Sequence, residues 1–227
     1  MRELIKAVSR SAGCVQLLAA LNEGKGSVAV FGMHECCRAV VAAVLAEDSS
    51  LLIATSTDAE AVRFHAELSA YLPEAQLFLP RDLPIVDLKA VSSERRGMRL
   101  STLIRLCLGQ PTVIVTCAAA LLEQLAPKSA LVTNIITVST GDSVEPRGLM
   151  ARLIAAGYER CDLIEGAGQC ALRGDILDVF PPQAKEPCRI EFFGDEIDQI
   201  RSFDPLSQRS TEQLMHIVIP PAFETPQ

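Results

Sequence analysis

Between residues 27 and 126 short, β-rich apolar runs alternate with longer segments of helical period, and no other feature of the chain restricts its fold as strongly. The runs lie at residues 27–31, 50–54, 75–79 and 112–116. They are nearly continuous in Val, Ile, Leu, Phe and Ala, as strands buried on both faces require, so a parallel sheet sandwiched by helices is expected. Thr57 and Glu60 have the spacing of a capping box, with hydroxyl and carboxylate satisfying free amides at the start of a helix that ends near residue 72. A second helix is expected over residues 93–108, where Met98, Leu100, Leu103, Ile104 and Leu108 form an apolar stripe and Gly109 and Pro111 supply the stop. A helical stretch at residues 3–21 precedes the block and a short helix at 118–125 closes it.

From about residue 131 the pattern changes. A strand at 134–138 and a helix at 146–156 lead into strands at 169–180, 188–193 and 196–203. Pro181, Pro182 and Pro187 lie in one connection and Gly194-Asp195 forms the other, so antiparallel hairpins are the natural reading. The fold class predicted is α/β: a parallel-sheet domain at residues 1–130, which the family resemblance given below implies to be degenerate RecA/helicase-like, then an α+β antiparallel-sheet domain at 131–221. Residues 222–227 read as a polar tail.

With 49% hydrophobic residues in 227, the chain can bury a core, which excludes the disordered and low-complexity classes. No apolar run approaches the roughly 18–20 residues of a membrane helix, and Met1-Arg2-Glu3-Leu4-Ile5-Lys6 has no signal core, so a cytoplasmic protein without a membrane partner is expected. Eight cysteines without C-x-x-C spacing fit reduced thiols. The net charge of −7 is unevenly spread: 13 basic and 13 acidic side chains up to residue 130, 8 and 15 beyond it. Such a balance repels phosphate and favours a protein partner over nucleic acid.

The loop after the first apolar run is where a phosphate-binding P-loop would lie. Against G-x-x-x-x-G-K-[ST] it keeps Gly32, but Cys37 replaces the second glycine, Arg38 the lysine and Ala39 the magnesium-ligating hydroxyl. Glu35 adds a carboxylate where triphosphate oxygens would approach. No bound nucleotide and no catalytic residue are therefore expected. His34, Cys36 and Cys37 suggest a metal, but neighbouring cysteines point poorly at one tetrahedral ion; no metal is expected, and the cysteines should pack as small buried side chains. His65 and His216 read as structural. Arg95, Arg96 and Arg99 read as a solvated helix end.

Four blocks then stand in order: Gly157 to Leu163, Leu172-Arg-Gly-Asp-Ile-Leu-Asp-Val-Phe-Pro181, Arg189-Ile-Glu-Phe-Phe-Gly-Asp-Glu-Ile197, and Ser202-Phe-Asp-Pro205 with Gln208-Arg-Ser210. Together they resemble the N-terminal region of the bacterial transcription-repair coupling factors. That region is similar to part of the excision-repair protein UvrB and contains the module through which both contact UvrA. The resemblance is strongest over residues 145–210. Upstream it extends to the degraded nucleotide loop and to Leu83-Pro84 followed by Ser92-Ser-Glu-Arg-Arg. It implies a non-catalytic module that binds UvrA and brings nucleotide excision repair to stalled RNA polymerase. ATP and magnesium would serve only a C-terminal translocase motor, and RNA polymerase and DNA would be met through domains outside these residues. The C-terminal part of the intact protein would be a further partner, masking the module. The competing reading is a UvrB-like helicase subdomain that binds ATP or DNA through Arg38, Arg95, Arg96 and Arg99. The degraded loop speaks against it, as does the lack of a long tyrosine-bearing DNA-gripping hairpin.

Alternation along residues 188–193 sends Cys188, Ile190 and Phe192 to one face and Arg189, Glu191 and Phe193 to the other. An always-charged planar donor and a large aromatic on a solvated sheet face have the composition of a binding hot spot, and Arg173 on a neighbouring strand could extend it. The resemblance implies the same three positions, Arg173, Arg189 and Phe193, as contacts to UvrA. The alternative is internal: the arginines pair with Glu191 or Asp175, and Phe193 covers the sheet beneath the helix near residue 150. Gly168-Gln169-Cys170 departs from the Gly-Glu-aromatic sequence usual in the family, so rim contacts are expected to differ.

Overall fold

The computed structural model describes residues 1–24, 26–47, 49–81 and 89–224; Leu83-Pro84 and the last three residues lie outside them. In its first half the elements are α1 (Arg2–Ser9), α2 (Ala12–Asn22), α3 (Glu35–Leu45), β1 (Leu51–Thr55), α4 (Asp58–Ser69), β2 (Gln76–Phe78), α5 (Lys89–Cys107), β3 (Val113–Cys117) and α6 (Ala118–Leu121). Then follow α7 (Lys128–Thr133), β4 (Ile136–Ser139), α8 (Pro146–Ala155), β5 (Glu159–Arg160), β6 (Gln169–Arg173), β7 (Ile176–Val179), β8 (Cys188–Phe193), β9 (Glu196–Phe203), β10 (Ser210–Leu214) and β11 (His216–Ile219). The class is α/β, with one parallel and two mainly antiparallel sheets. The chain divides into two compact units, residues 1–80 with 109–123, and residues 81–108 with 124–227. No single helix among the described residues is long and apolar enough to cross a membrane.

In the first unit β3 pairs in parallel with β1 and β2, in the order β1-β3-β2. The helix α4 covers this sheet through Ala61 and Leu68, both fully buried. Its start is capped as expected: Thr57 Oγ1 accepts from the Glu60 amide at 3.2 Å. The Glu60 carboxylate reaches one residue further back than a standard box, to the amide and hydroxyl of Ser56.

Three expectations fail here. Residues 27–31 form no strand; they are exposed throughout, with Val30 and Phe31 in solvent. A β-rich run becomes a strand only when a neighbouring backbone completes its ladder, and β1 and β2 bond to β3 alone. The run at β1 is not buried on both faces either, since Leu52 is 57% exposed and burial alternates along it. The N-terminal helix is two helices, because Ser11 leaves the helical conformation and its hydroxyl caps α2 through the Cys14 amide at 3.4 Å.

The second unit is built on a six-stranded sheet ordered β10-β9-β8-β7-β6-β5 and a two-stranded ribbon β11-β4. Leu149, Met150 and Leu153 of α8 join Ile136 and Val138 of β4, Ile217 and Ile219 of β11, and Cys170, Leu177, Val179, Ile190, Phe192, Ile197 and Ile200 of the sheet in one core. Burial raises the thiol pKa of Cys170 to about 12 and of Cys188 to about 11, as inert structural thiols require. Residues 169–180, expected as one strand, are the hairpin β6–β7, turning where Gly174 takes a φ of +58°. The Tyr158 hydroxyl donates to the Pro220 carbonyl at 2.7 Å inside this unit.

Helix α5, within the segment read from sequence as the first domain, packs in the second unit against α7. A methyl on Gly97 would lie 2.1 Å from the Pro182 carbonyl oxygen, so only glycine permits this approach. Arg99, expected in a solvated helix end, is buried. It lies four residues before Leu103, hence on the apolar stripe, and its guanidinium meets the buried Glu224 carboxylate. Arg81 binds the same carboxylate at 3.0 Å. Burial alone would raise the Glu224 pKa, but the two guanidiniums outweigh it and hold the carboxyl below its ordinary 4.5. Residues 222–224 therefore belong to the folded unit: Ala222 donates its amide to the Ala156 carbonyl at 2.9 Å, and Phe223 lies under the Arg96 guanidinium.

Candidate functional site

The six-stranded sheet has α8 and the β4–β11 ribbon on one face; alternation along β6, β7 and β8 sends their other residues to the opposite face, and in β9 an irregularity opposite Glu191 and Phe192 interrupts it. Cross-strand register lines up Ala171, Asp178, Arg189 and Arg201 in one row and Arg173, Ile176, Glu191 and Gln199 in the next. Phe193 follows at the end of β8, opposite Glu196 beside the Gly194-Asp195 turn. The three expected site residues thus share one face.

Their roles differ. Asp178 is 1% exposed and holds both arginines: Arg189 donates from Nε and Nη2 to its two oxygens at 2.7 and 2.9 Å, and Arg173 donates from Nη2 at 2.7 Å. Arg189 is only 15% exposed, donates also to Gln208 Oε1 at 3.0 Å, and lies with its guanidinium carbon 4.4 Å from the centre of the Phe203 ring. The Asp178 hydrogen bonds raise its already high pKa further. Arg173 remains 45% exposed and Phe193 84% exposed. Arg189 is therefore a fixed floor, Arg173 a half-free donor and Phe193 a projecting apolar anchor.

Neither internal partner expected for the arginines is used, because the register of β7 against β8 sets Asp178 opposite Arg189, while Glu191 is taken by Arg201. Phe193 does not lie beneath α8; that helix packs on the other face. Sequence reading missed Asp178, Phe203 and Gln208. Asp178 carried a signal, a lone carboxylate between Leu177 and Val179 in a buried strand. Gln208 carried little. It sits in the 204–209 turn at a φ of +59°, where the Asp204 carboxylate accepts from the amides of Leu206 and Ser207. Those bonds, chiefly from Ser207, lower the Asp204 pKa.

In the first unit Gly32 has a φ of +74° just before α3. Cys37 and Arg38 are exposed on the first turn of α3, and Ala39 is buried. Arg38 lines a small recess of about 40 Å3 with Glu35, Glu60, Glu67 and a second cation, Arg63. Cys36 and Cys37, expected to be buried, are exposed, because the buried face of α3 begins at Ala39 and its first turn projects past the packed neighbours. Their sulfurs are 4.0 Å apart, with His34 Nδ1 3.2 Å from Cys36 Sγ.

Residues 136–224 match the family model of the UvrB interaction domain. Over 90% of its length the chain is 31% identical to the transcription-repair-coupling factor of Bacillus subtilis, of which it covers 18%. It is 37% identical over 78% of its length to that of Mycobacterium bovis, covering 15% of the relative. To the UvrABC system protein B of Kosmotoga olearia it is 33% identical over 68% of its length, covering 22%. The chain thus spans less than a quarter of the length of these curated relatives.

Proposed function

We propose that the second unit is a non-catalytic recruitment module that binds UvrA through the open face of its six-stranded sheet and so brings nucleotide excision repair to stalled RNA polymerase. The observation that carries this reading is Phe193, a large aromatic held 84% exposed beside a hydrogen-bonded arginine pair. A rigid apolar anchor next to Arg173, whose guanidinium keeps donors to spare, suits a partner surface with an apolar recess and a carboxylate. Residues 131–221 form the docking domain of this proposal, with α5 and residues 222–224 as its support. ATP binding is not part of it: Ala39 offers no hydroxyl, Arg38 shares its recess with three glutamates and Arg63, and Arg99, in the second unit, is committed to Glu224. The translocase motor, the contacts with polymerase and DNA, and masking by the C-terminal part of the intact protein are assigned to other regions.

Calorimetric titration with purified UvrA tests the reading. Arg189→Glu is a poor probe, since it would set two carboxylates against each other in a buried place. Phe193→Ala and Arg173→Ala alter exposed groups instead. Binding by the unaltered chain, weakened at least tenfold in each variant with unchanged melting, is the expected result. Unaltered affinity in both variants would refute the face, and no binding by the folded chain would refute the partner. A thermal shift with ATP and magnesium would reinstate the nucleotide-binding alternative.

A further inference from the structure

The core-side edge of the same sheet carries a second recess with no role in the reading above. It is a groove of about 500 Å3 between α8 and the edge formed by β5 and β6, lined by Arg147, Met150, Ala151, Ile154, Arg160 and Leu172. Arg147, Ala151 and Ile154 are spaced by four and three residues, so they share one helix face with Met150 beside them. Ile154 is 46% exposed, and Leu172 comes from the sheet face opposite Arg173. The floor is thus apolar and the rim carries two guanidiniums.

Arg81, Arg99, Arg173, Arg189 and Arg201 each engage a carboxylate. Arg147 and Arg160 have neither an ion pair nor a hydrogen bond among the described residues. Both side chains are exposed, in a half of the chain with 8 basic against 15 acidic side chains. The backbone adds a second element. β5 bonds to β6 only, through the amides of Glu159 and Cys161, so the intervening amide of Arg160 is turned to the free edge. Glu159, one residue away on the strand, points to the opposite side.

We propose that this groove docks a short acidic peptide segment bearing one apolar side chain. Its carboxylates would pair with Arg147 and Arg160, its apolar residue would fill the floor over Met150 and Ile154, and its backbone would extend the sheet at Arg160. Charge complementarity chooses the occupant. Two cations around an apolar floor match a few carboxylates on a short segment, whereas a nucleic acid needs a longer basic track than two arginines make. The proposal does not depend on UvrA binding, because the groove and the Phe193 face lie on opposite sides of the sheet.

The probes are two acetylated, amidated pentapeptides, each with two glutamates on either side of a leucine or a phenylalanine. Binding is read from the methyl NMR signals of Met150 and Ile154 in the full chain. The expected result is saturable shifts at these methyls with a Kd at or below about 1 mM for at least one probe. Binding should weaken at least tenfold in the double variant Arg147→Glu with Arg160→Glu, whose melting temperature should not change because both side chains are exposed and unpaired. Absence of shifts at about 5 mM of either probe, equal shifts with lysine in place of glutamate, or undiminished binding by the double variant would each overturn it. So would a DNA duplex that shifts the same methyls when the peptides do not.

Discussion

Replacing Asp178 with alanine should be among the most damaging single changes in the second unit. The carboxylate is 1% exposed and accepts three charge-assisted hydrogen bonds of 2.7, 2.7 and 2.9 Å. Arg173 is 45% exposed and can turn to water, so its share is small. Arg189 is 15% exposed and cannot, and removing one partner of a buried pair costs about 3–5 kcal/mol because a charge is left uncompensated. Its remaining contacts, Gln208 and the Phe203 ring, favour the lower end, about 3 kcal/mol. For a unit of this size that lowers the melting temperature by roughly 10 °C. The chain has no tryptophan, so scanning calorimetry is the suitable assay. Arg189→Ala should cost about as much, by stranding the buried carboxylate, and the double variant should be less damaged than the sum by at least about 1 kcal/mol. A loss below about 3 °C for Asp178→Ala, or additive single effects, would refute the claim that this pair is the fixed floor of the site.

Glu224→Gln should destabilise the second unit near neutral pH, and the difference should shrink with acid. The folded carboxyl is held below 4.5, so its contribution is present above that value and is lost as pH falls through the lower folded-state pKa; melting curves of both proteins between about pH 6 and pH 3 check it. Gly97→Ala should cost about 2 kcal/mol or more, since its methyl would meet the Pro182 carbonyl at 2.1 Å and backbone must move; urea denaturation followed by circular dichroism reads it.

Much of this architecture is written in local sequence, and the exceptions have physical causes. β1, β2 and β3 are legible because their apolar runs are flanked by helix caps and stops. Residues 27–31 have the same composition and form no strand, because pairing is a property of neighbours rather than of the run. The face shared by Arg189 and Phe193 follows from alternation alone, whereas that of Arg173 needs the register of β6 and β7 against β8. The choice of Asp178 over Glu191 or Asp175 does not, because it depends on a register that a Pro-rich connection leaves open to any reader of the sequence. Arg99 was misread for a related reason: its spacing put it on the apolar stripe, but the carboxylate that makes this tolerable is 125 residues away.

That distance bears on how the protein is made. Arg81 and Arg99 leave the ribosome long before Glu224, 143 and 125 residues later, and β4 likewise waits for β11, its only ladder partner. The first strand of the unit must therefore wait for some eighty further residues, and Arg99 of helix α5 for 125, at about 5–20 residues per second. Chains released early, before β11 and residues 222–224, would expose Ile136 and Val138 and deprive Arg99 of the Glu224 carboxylate, a combination suited to capture by chaperones and proteases. The last residues of this unit are thus the ones that complete its core and its buried ion pair.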